Sequence, residues 1–340
     1  MGLVRIILDS RILLLGGFYC LLVVACSKHS LQHVELPEAV TELNVDSIES
    51  NLILNPVGIV ATDNYLIIAN SKRDTLFDVF DNKTGNYLYS DLVMGQGPED
   101  VSAFRNIVHW RGDRIYVNGL GIPSITMIDV AKERLRVAEK RICPLKDNIY
   151  QAIYALNDED ALAQPTGGEY EWMYYNGKTK AVNGCTSFSL SDITGGSVTE
   201  FGKISNSMGS VAVSPDMSHF MFFYSWFPYM KIFNSSGDVL FEKSVEVPLE
   251  QITYESDILK RRPYYHICVK TNDYVFISYT PLNSENESSC FIQVWNWSGE
   301  LLKVLKLPDG IDVFTVTPNA KRIYGVKADS DKIYYCDLSL

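Results

Sequence analysis

The sharpest chemical constellation in this chain is Arg261-Arg262, which directly precede Pro263-Tyr264-Tyr265. Paired guanidiniums beside aromatic rings can grip a carboxylate or an acidic sugar, because each offers parallel N–H donors. The same pair would also serve as a solvated surface feature whose stems cover a ring edge. Trp226 stands in the aromatic run YSWFPYM, Tyr224–Met230. It could stack on a sugar or an apolar peptide side chain, or pack between sheets. Gly95-Gln96-Gly97-Pro98-Glu99 has the glycines of a tight turn. It lacks the following helix and the Lys-Ser/Thr that a phosphate loop needs. It is either a plain connection or one that offers Gln96 and Glu99, with Arg105 close behind, to a ligand. The candidate binding residues are therefore Gln96, Glu99, Arg105, Trp226, Arg261, Arg262 and Tyr264.

No catalytic set is recognisable. His29, His33, His109, His219 and His266 show no metal-like spacing, and no G-x-S-x-G elbow is present. The many carboxylates cannot be paired at glycosidase separation from sequence. No metal and no cofactor is assigned. Cys143, Cys185, Cys268, Cys290 and Cys336 are scattered in apolar stretches and read as buried small hydrophobes rather than disulfide or metal partners.

What must position these residues is a repeat. Six stretches share an alternating apolar strand, an Asp or Asn, a turn and a second strand. They begin at Phe77, Ile125, Tyr170, Met230, Phe291 and Lys332. The repeats recur every ~40–60 residues, the span of a four-stranded propeller blade. Strand pairs precede them: Val57–Thr62 with Tyr65–Asn70, Arg105–Trp110 with Arg114–Asn118, and Tyr150–Leu156 with Asp160–Gln164. Gly209–Ser214 with His219–Tyr224, Tyr265–Thr271 with Tyr274–Tyr279, and Val313–Thr317 with Arg322–Val326 complete the set. Turns of Asp, Asn, Pro and Gly join them. The fold class is all-β, a six-bladed β-propeller, with a seven-bladed ring as the alternative. The last unit ends after three strands, so an N-terminal strand, Val40–Asp46, is expected to close the last blade. His109 and His266 then fall on innermost strands.

Arg5 and Arg11 precede the apolar run Ile12–Ala25, which is short for a membrane span and suits a signal peptide. Val23-Val24-Ala25-Cys26 resembles a bacterial lipobox, making Cys26 the lipidation site. Residues 1–25 read as leader, 26–38 as a lipid-anchored tether and 39–340 as the propeller domain. The tether has no acidic cluster at its start, which favours an outer-membrane anchor facing the periplasm over surface display. The net charge of −11 argues against nucleic acid, whose affinity rests on cations. The 12 % aromatic share, with 20 Tyr and 15 Phe, favours strands.

The lipobox, the six units and Met94-Gly95-Gln96-Gly97-Pro98-Glu99-Asp100 followed by Phe104 resemble the TolB-like six-bladed propeller lipoproteins of Bacteroidetes. The resemblance implies fold and cell-envelope address more than activity. Asp46-Ser47-Ile48 and Asp74-Thr75-Leu76 are similar to the Asp-Ser/Thr-apolar sites of periplasmic O-glycosylation in that group. The functional expectation is a non-catalytic platform binding a protein, peptide or glycan at the channel face. A hydrolase or lyase acting on an extracellular polymer is the alternative.

Overall fold

The computed structural model describes residues 31–50, 55–70, 74–101, 104, 107–118, 124–142, 150–156, 159–165, 172–185, 208–252, 262–282, 290–311, 313–328 and 330–340. Three short strands come first: β1 (Leu31–Val34), β2 (Val40–Glu42) and β3 (Asp46–Glu49). Six antiparallel meanders follow. Blade 1 is β4 (Pro56–Ala61), β5 (Tyr65–Asn70), β6 (Phe77–Asp81) and β7 (Tyr87–Asp91). Blade 2 is β8 (Ile107–Arg111), β9 (Arg114–Asn118), β10 (Ser124–Val130) and β11 (Leu135–Ile142). Blade 3 is β12 (Tyr150–Ala155), β13 (Ala161–Pro165), β14 (Trp172–Tyr175) and β15 (Val182–Cys185). Blade 4 is β16 (Gly209–Val213), β17 (His219–Tyr224), β18 (Tyr229–Asn234) and β19 (Val239–Val245). Blade 5 is β20 (Tyr265–Lys270), β21 (Tyr274–Tyr279), β22 (Cys290–Asn296) and β23 (Leu301–Leu307). Blade 6 is β24 (Val313–Val316), β25 (Arg322–Val326) and β26 (Lys332–Asp337). The first strands of the blades face the axis: β4 touches β8 and β24, β8 touches β12, and β20 touches β16 and β24. Blades 3 and 4 meet through Trp172, whose ring lies 4.9 Å from that of Phe222. The protein is a six-bladed β-propeller.

Middle strands are sandwiched between neighbouring blades, so both of their faces are buried. β17 reads HFMFFY and β21 YVFISY, each buried along almost its whole length, and continuous apolar runs replace strict alternation there. Asp81, Asn176, Asn234 and Asn296, which end four of the repeats, cap turns, while Asp129 and Asp337 accept the Nε–H groups of Arg114 and Arg322 at 2.6 Å each. Asp81 Oδ1 accepts the N–H groups of Lys83 and Thr84 at 3.0 and 2.7 Å, and Asn176 Oδ1 those of Lys178 and Thr179 at 3.1 and 2.9 Å. Asn234 and Asn296 do the same before Gly237 (φ 88°) and Gly299 (φ 80°), where the backbone needs a residue without Cβ. In blades 1, 2, 4 and 5 the outer strand carries one extra residue just after the turn, opposite Val79/Phe80, Met127/Ile128, Ile232/Phe233 and Val294/Trp295. These bulges bend the outer strand away from its neighbour.

The N-terminal segment closes the ring differently from the expectation in one respect. The strand that completes blade 6 is β3, Asp46–Glu49, antiparallel to β26, with Lys332 Nζ 2.7 Å from the Glu49 carboxylate. Val40–Asp46 is not that strand. Its first part, β2, adds parallel to β23 of blade 5, and β1 adds parallel to β19 of blade 4. Val34 and Leu36 pack on the core between blades 4 and 5, and Leu43 and Val45 on that between blades 5 and 6. Apolar side chains seek grooves between blades, and edge strands with unpaired N–H and C=O groups accept the segment. Residues 31–34, inside the stretch read as tether, are thus strand. Among the described residues no helix is long and apolar enough to cross a membrane.

The lower turns knit the ring. Asp113, in the β8–β9 turn, accepts the Thr62 hydroxyl at 2.8 Å and the Asn64 backbone and side-chain N–H groups at 3.0 and 2.7 Å. Tyr324 of blade 6 donates its hydroxyl to the Asn82 carbonyl of blade 1 at 2.6 Å.

Candidate functional site

The upper face is where chain enters each innermost strand and where second and third strands are joined. Between blades 4 and 5 it is held by Ser225, whose carbonyl accepts the Tyr264 N–H at 2.6 Å. That bond brings the Trp226 loop beside the Arg262–Tyr264 entry segment, so three expected binding residues share one place. Arg262 is exposed. Trp226 is half-buried against the core of blades 3 and 4, and its indole Nε1 is buried with no hydrogen-bond partner. An unsatisfied buried donor of this kind costs about 1–3 kcal/mol.

Tyr264 is only 2 % exposed. Its hydroxyl donates to Glu246 Oε2 at 3.0 Å, and the Leu282 N–H donates to Glu246 Oε1 at 3.1 Å. Gln293 extends the network: its Nε2 donates to the Tyr264 hydroxyl at 3.4 Å, and its Oε1 accepts from Trp295 Nε1 at 3.0 Å. Tyr264 is therefore a structural member of the interface between blades, behind the exposed surface rather than on it. Burial pushes its phenol well above the usual range. Glu246 went unmarked in sequence. It adopts φ 68°, in the left-handed region. Burial raises its carboxyl above the ordinary value, against the hydrogen bonds from Tyr264 and Leu282. Nothing local in Val245-Glu246-Val247-Pro248 signals this role.

Gln96 and Glu99 lie elsewhere, in the loop from β7 into blade 2, across the ring from blade 5. Both are exposed. The loop is built around Asp100, whose Oδ2 accepts the Gly97 N–H at 2.8 Å. A Cβ on Gly95 would sit 2.1 Å from Asp100 Oδ2, so the glycine makes room for the folded-back carboxylate. Lys140 Nζ donates to the Gly97 carbonyl at 2.8 Å, and Phe104 meets Phe77 edge-on at 5.4 Å. The motif is a self-capped turn that presents Gln96 and Glu99 to solvent. Arg105, Arg261 and the lipidation residue Cys26 lie outside the described residues, as does the side chain of His109. Ser47 is exposed on β3 and Thr75 is half-buried.

The axis holds a small cavity of about 70 Å³. All six innermost strands line it, mostly in their second halves, below the upper face: Ile59, Trp110, Tyr154, Val213, Lys270 and Thr315 are examples. Blades 2 and 5 are opposite one another in a six-membered ring. Lys270 of blade 5 nonetheless has its Nζ 5.0 Å from the ring centre of Trp110 in blade 2. Its side chain crosses the axis and bars the channel. Burial, and then the positive charge of Arg111, lower its pKa to about 7. Beside it, burial raises the Cys268 thiol; Cys268, Cys290 and Cys336 are free thiols. A separate polar groove of about 610 Å³ opens on the lower rim, lined by residues including Asp63, Lys83, Asn319 and Arg322. Among the described residues no three His, Cys, Asp or Glu side chains gather as metal ligands.

No family model matches this chain, and no curated protein matches it. Solved structures do. A member of the DUF4221 family from Bacteroides vulgatus superposes with a TM-score of 0.55 at 12 % identity, covering 87 % of this chain and 98 % of that one. A protein described as exported, from Bacteroides fragilis, gives a TM-score of 0.55 at 11 % identity over 90 % of this chain and 99 % of that one. At such identities the likeness is one of fold.

Proposed function

We propose that this chain is a cell-envelope lipoprotein of the TolB-like kind, anchored through Cys26 and facing the periplasm. Its upper face between blades 4 and 5 serves as a non-catalytic platform for a protein, peptide or glycan. The observation that carries the reading is the Ser225–Tyr264 bond, which sets Trp226, with its unsatisfied indole N–H, beside exposed Arg262. An aromatic plate next to a guanidinium is the usual composition of an interface hot spot. The axial cavity is too small for a polymer or a drug-sized ligand, which occupy about 300–1,000 Å³, so the partner meets the surface. A fold shared with an exported Bacteroides protein supports the envelope address.

The test is an array of glycans and peptides probed with the protein and with a Trp226→Ala/Arg262→Ala double variant. The reading expects ligands retained by the parent to be lost or weakened at least tenfold in the variant. Unchanged binding would remove the site. Turnover of a glycan or peptide by the purified protein would replace the platform with the hydrolase or lyase.

A further inference from the structure

The bulges of two neighbouring outer strands turn apolar side chains to the outside. Each bulge leaves one residue without a ladder partner, Leu240 in β19 of blade 4 and Leu302 in β23 of blade 5. These are 38 % and 44 % exposed, and Phe241, next to Leu240, is 44 % exposed. All three follow closely on the turn between third and fourth strands, so they share the lower outer rim of adjacent blades. Other blades fill the bulge differently. Blade 1 has half-buried Leu88 there, and blade 2, across the ring from blade 5, has Ala138 amid exposed Arg136, Glu139 and Lys140. The N-terminal chain joins the ring at the same apolar rim. β1 opens with exposed Leu31, level with Glu242, and runs parallel to β19, which climbs from its lower turn. The start of β1 therefore points toward the lower rim, and Leu240 lies two residues below it, about 7 Å along the strand. Cys26 precedes Leu31 by five residues, at most about 18 Å of extended chain.

We propose that the lower outer rim of blades 4 and 5 rests on a phospholipid bilayer, with Leu240, Phe241 and Leu302 in the boundary between headgroups and acyl chains and the upper face turned away from it. The proposal rests on the reading of Cys26 as the lipid anchor. Leu and Phe side chains gain free energy by leaving water at that depth, and their contact adds a second hold to the lipid itself. A chain of net charge −11 is not drawn to anionic headgroups, so apolar contact carries the seating. In this pose the loop of Trp226 and the entry segment of Arg262 stay open to a partner.

The experiment places the full-length lipidated chain on phosphatidylcholine nanodiscs that contain a lipid with a nitroxide headgroup. 4-Trifluoromethylphenylalanine replaces Phe241 on the rim or, in a second protein, Leu282, which is exposed in the loop after β21 on the upper face. Broadening of the fluorine-19 signal reads closeness to lipid. Expected is at least fivefold stronger broadening at position 241 than at position 282. Adding Leu240→Asp with Leu302→Asp should at least halve the broadening at position 241 while the chain stays on the discs. Equal broadening at the two positions, or broadening that the double substitution leaves unmoved, would overturn the proposal and leave the anchor reading intact. A parent chain that does not elute with the discs would remove the anchor reading, and the proposal with it. Cys26→Ser keeps the chain in solution, where the signal at position 241 should not depend on protein concentration. A concentration-dependent shift there would mean that a second copy covers the rim, and would also overturn the proposal.

Discussion

Lys270→Met removes the charge that crosses the channel but keeps an unbranched apolar stem beside Trp110. A lysine whose pKa falls from 10.5 to about 7 carries about 5 kcal/mol of disfavoured charge at low pH. The channel end keeps some water, so we halve this to about 2 kcal/mol. The direction with pH follows from linkage. The unfolded chain holds this proton up to about 10.5, while the folded protein releases it near 7. Between those values the unfolded state binds more protons, so native stability rises with pH across that window, and the penalty is full below it. The variant lacks this contribution. Urea unfolding at pH 6, 7.5 and 9 should find Lys270→Met more stable than the parent by about 2 kcal/mol at pH 6 and by about 1 kcal/mol or less at pH 9. Taking the difference between the two proteins cancels other titrating groups, including buried thiols such as Cys268. A variant less stable than the parent by the same amount at every pH would refute the reasoning, and would make Lys270 a net tie between blades 2 and 5.

Four further outcomes follow from the geometry. Removing residues 31–49 takes away the partner strands of blades 4, 5 and 6; one cooperative transition should shift to lower urea by several kcal/mol, whereas loss of blade 6 signals alone would contradict a single closed ring. Asp113→Ala deletes an acceptor of three hydrogen bonds between blades 1 and 2, and should cost about 1–3 kcal/mol in thermal unfolding. Gly95→Ala forces Asp100 out of its turn; it should cost about 1–3 kcal/mol and lower amide-exchange protection at Gly97. Glu246→Ala leaves the Tyr264 hydroxyl proton and the Leu282 N–H without their acceptor, costing about 2–3 kcal/mol, while Glu246→Gln should cost far less at pH 7. Burial raises the Glu246 carboxyl, so its charged form is the disfavoured one and the parent loses stability as pH rises from about 4.5 up through the raised folded value.

The strand pattern was legible because local chemistry writes it. Tyr65–Asn70, Arg114–Asn118, His219–Tyr224, Tyr274–Tyr279 and Arg322–Val326 stand in the structure as read, each introduced by a turn of Asp, Asn, Pro or Gly. Asp81, Asn176, Asn234 and Asn296 cap the turns after their repeated strands, whereas Asp129 and Asp337 pair with Arg114 and Arg322 of the neighbouring strands. What escaped was long-range. That β2 would join blade 5 and leave the closing role to Asp46–Glu49 depends on grooves that exist only once blades 5 and 6 are packed. Tyr264 follows two arginines and looks like surface, but the Ser225 carbonyl draws its backbone inward. Lys270 reads as an ordinary strand-ending lysine, because only ring closure puts Trp110 across the axis from it. Glu246 takes its importance from Tyr264 and Leu282, neither of which is near it in sequence.

The central claim is that the upper face between blades 4 and 5 receives a partner while the lipid at Cys26 holds the ring to the membrane. A pull-down from detergent-solubilised membranes, with the intact lipidated chain as bait and the Trp226→Ala/Arg262→Ala variant as control, tests it most directly. The claim predicts a stoichiometric protein, or a glycan-bearing one, recovered with the parent and absent from the variant. Equal recovery with both baits, or none with either, would contradict it.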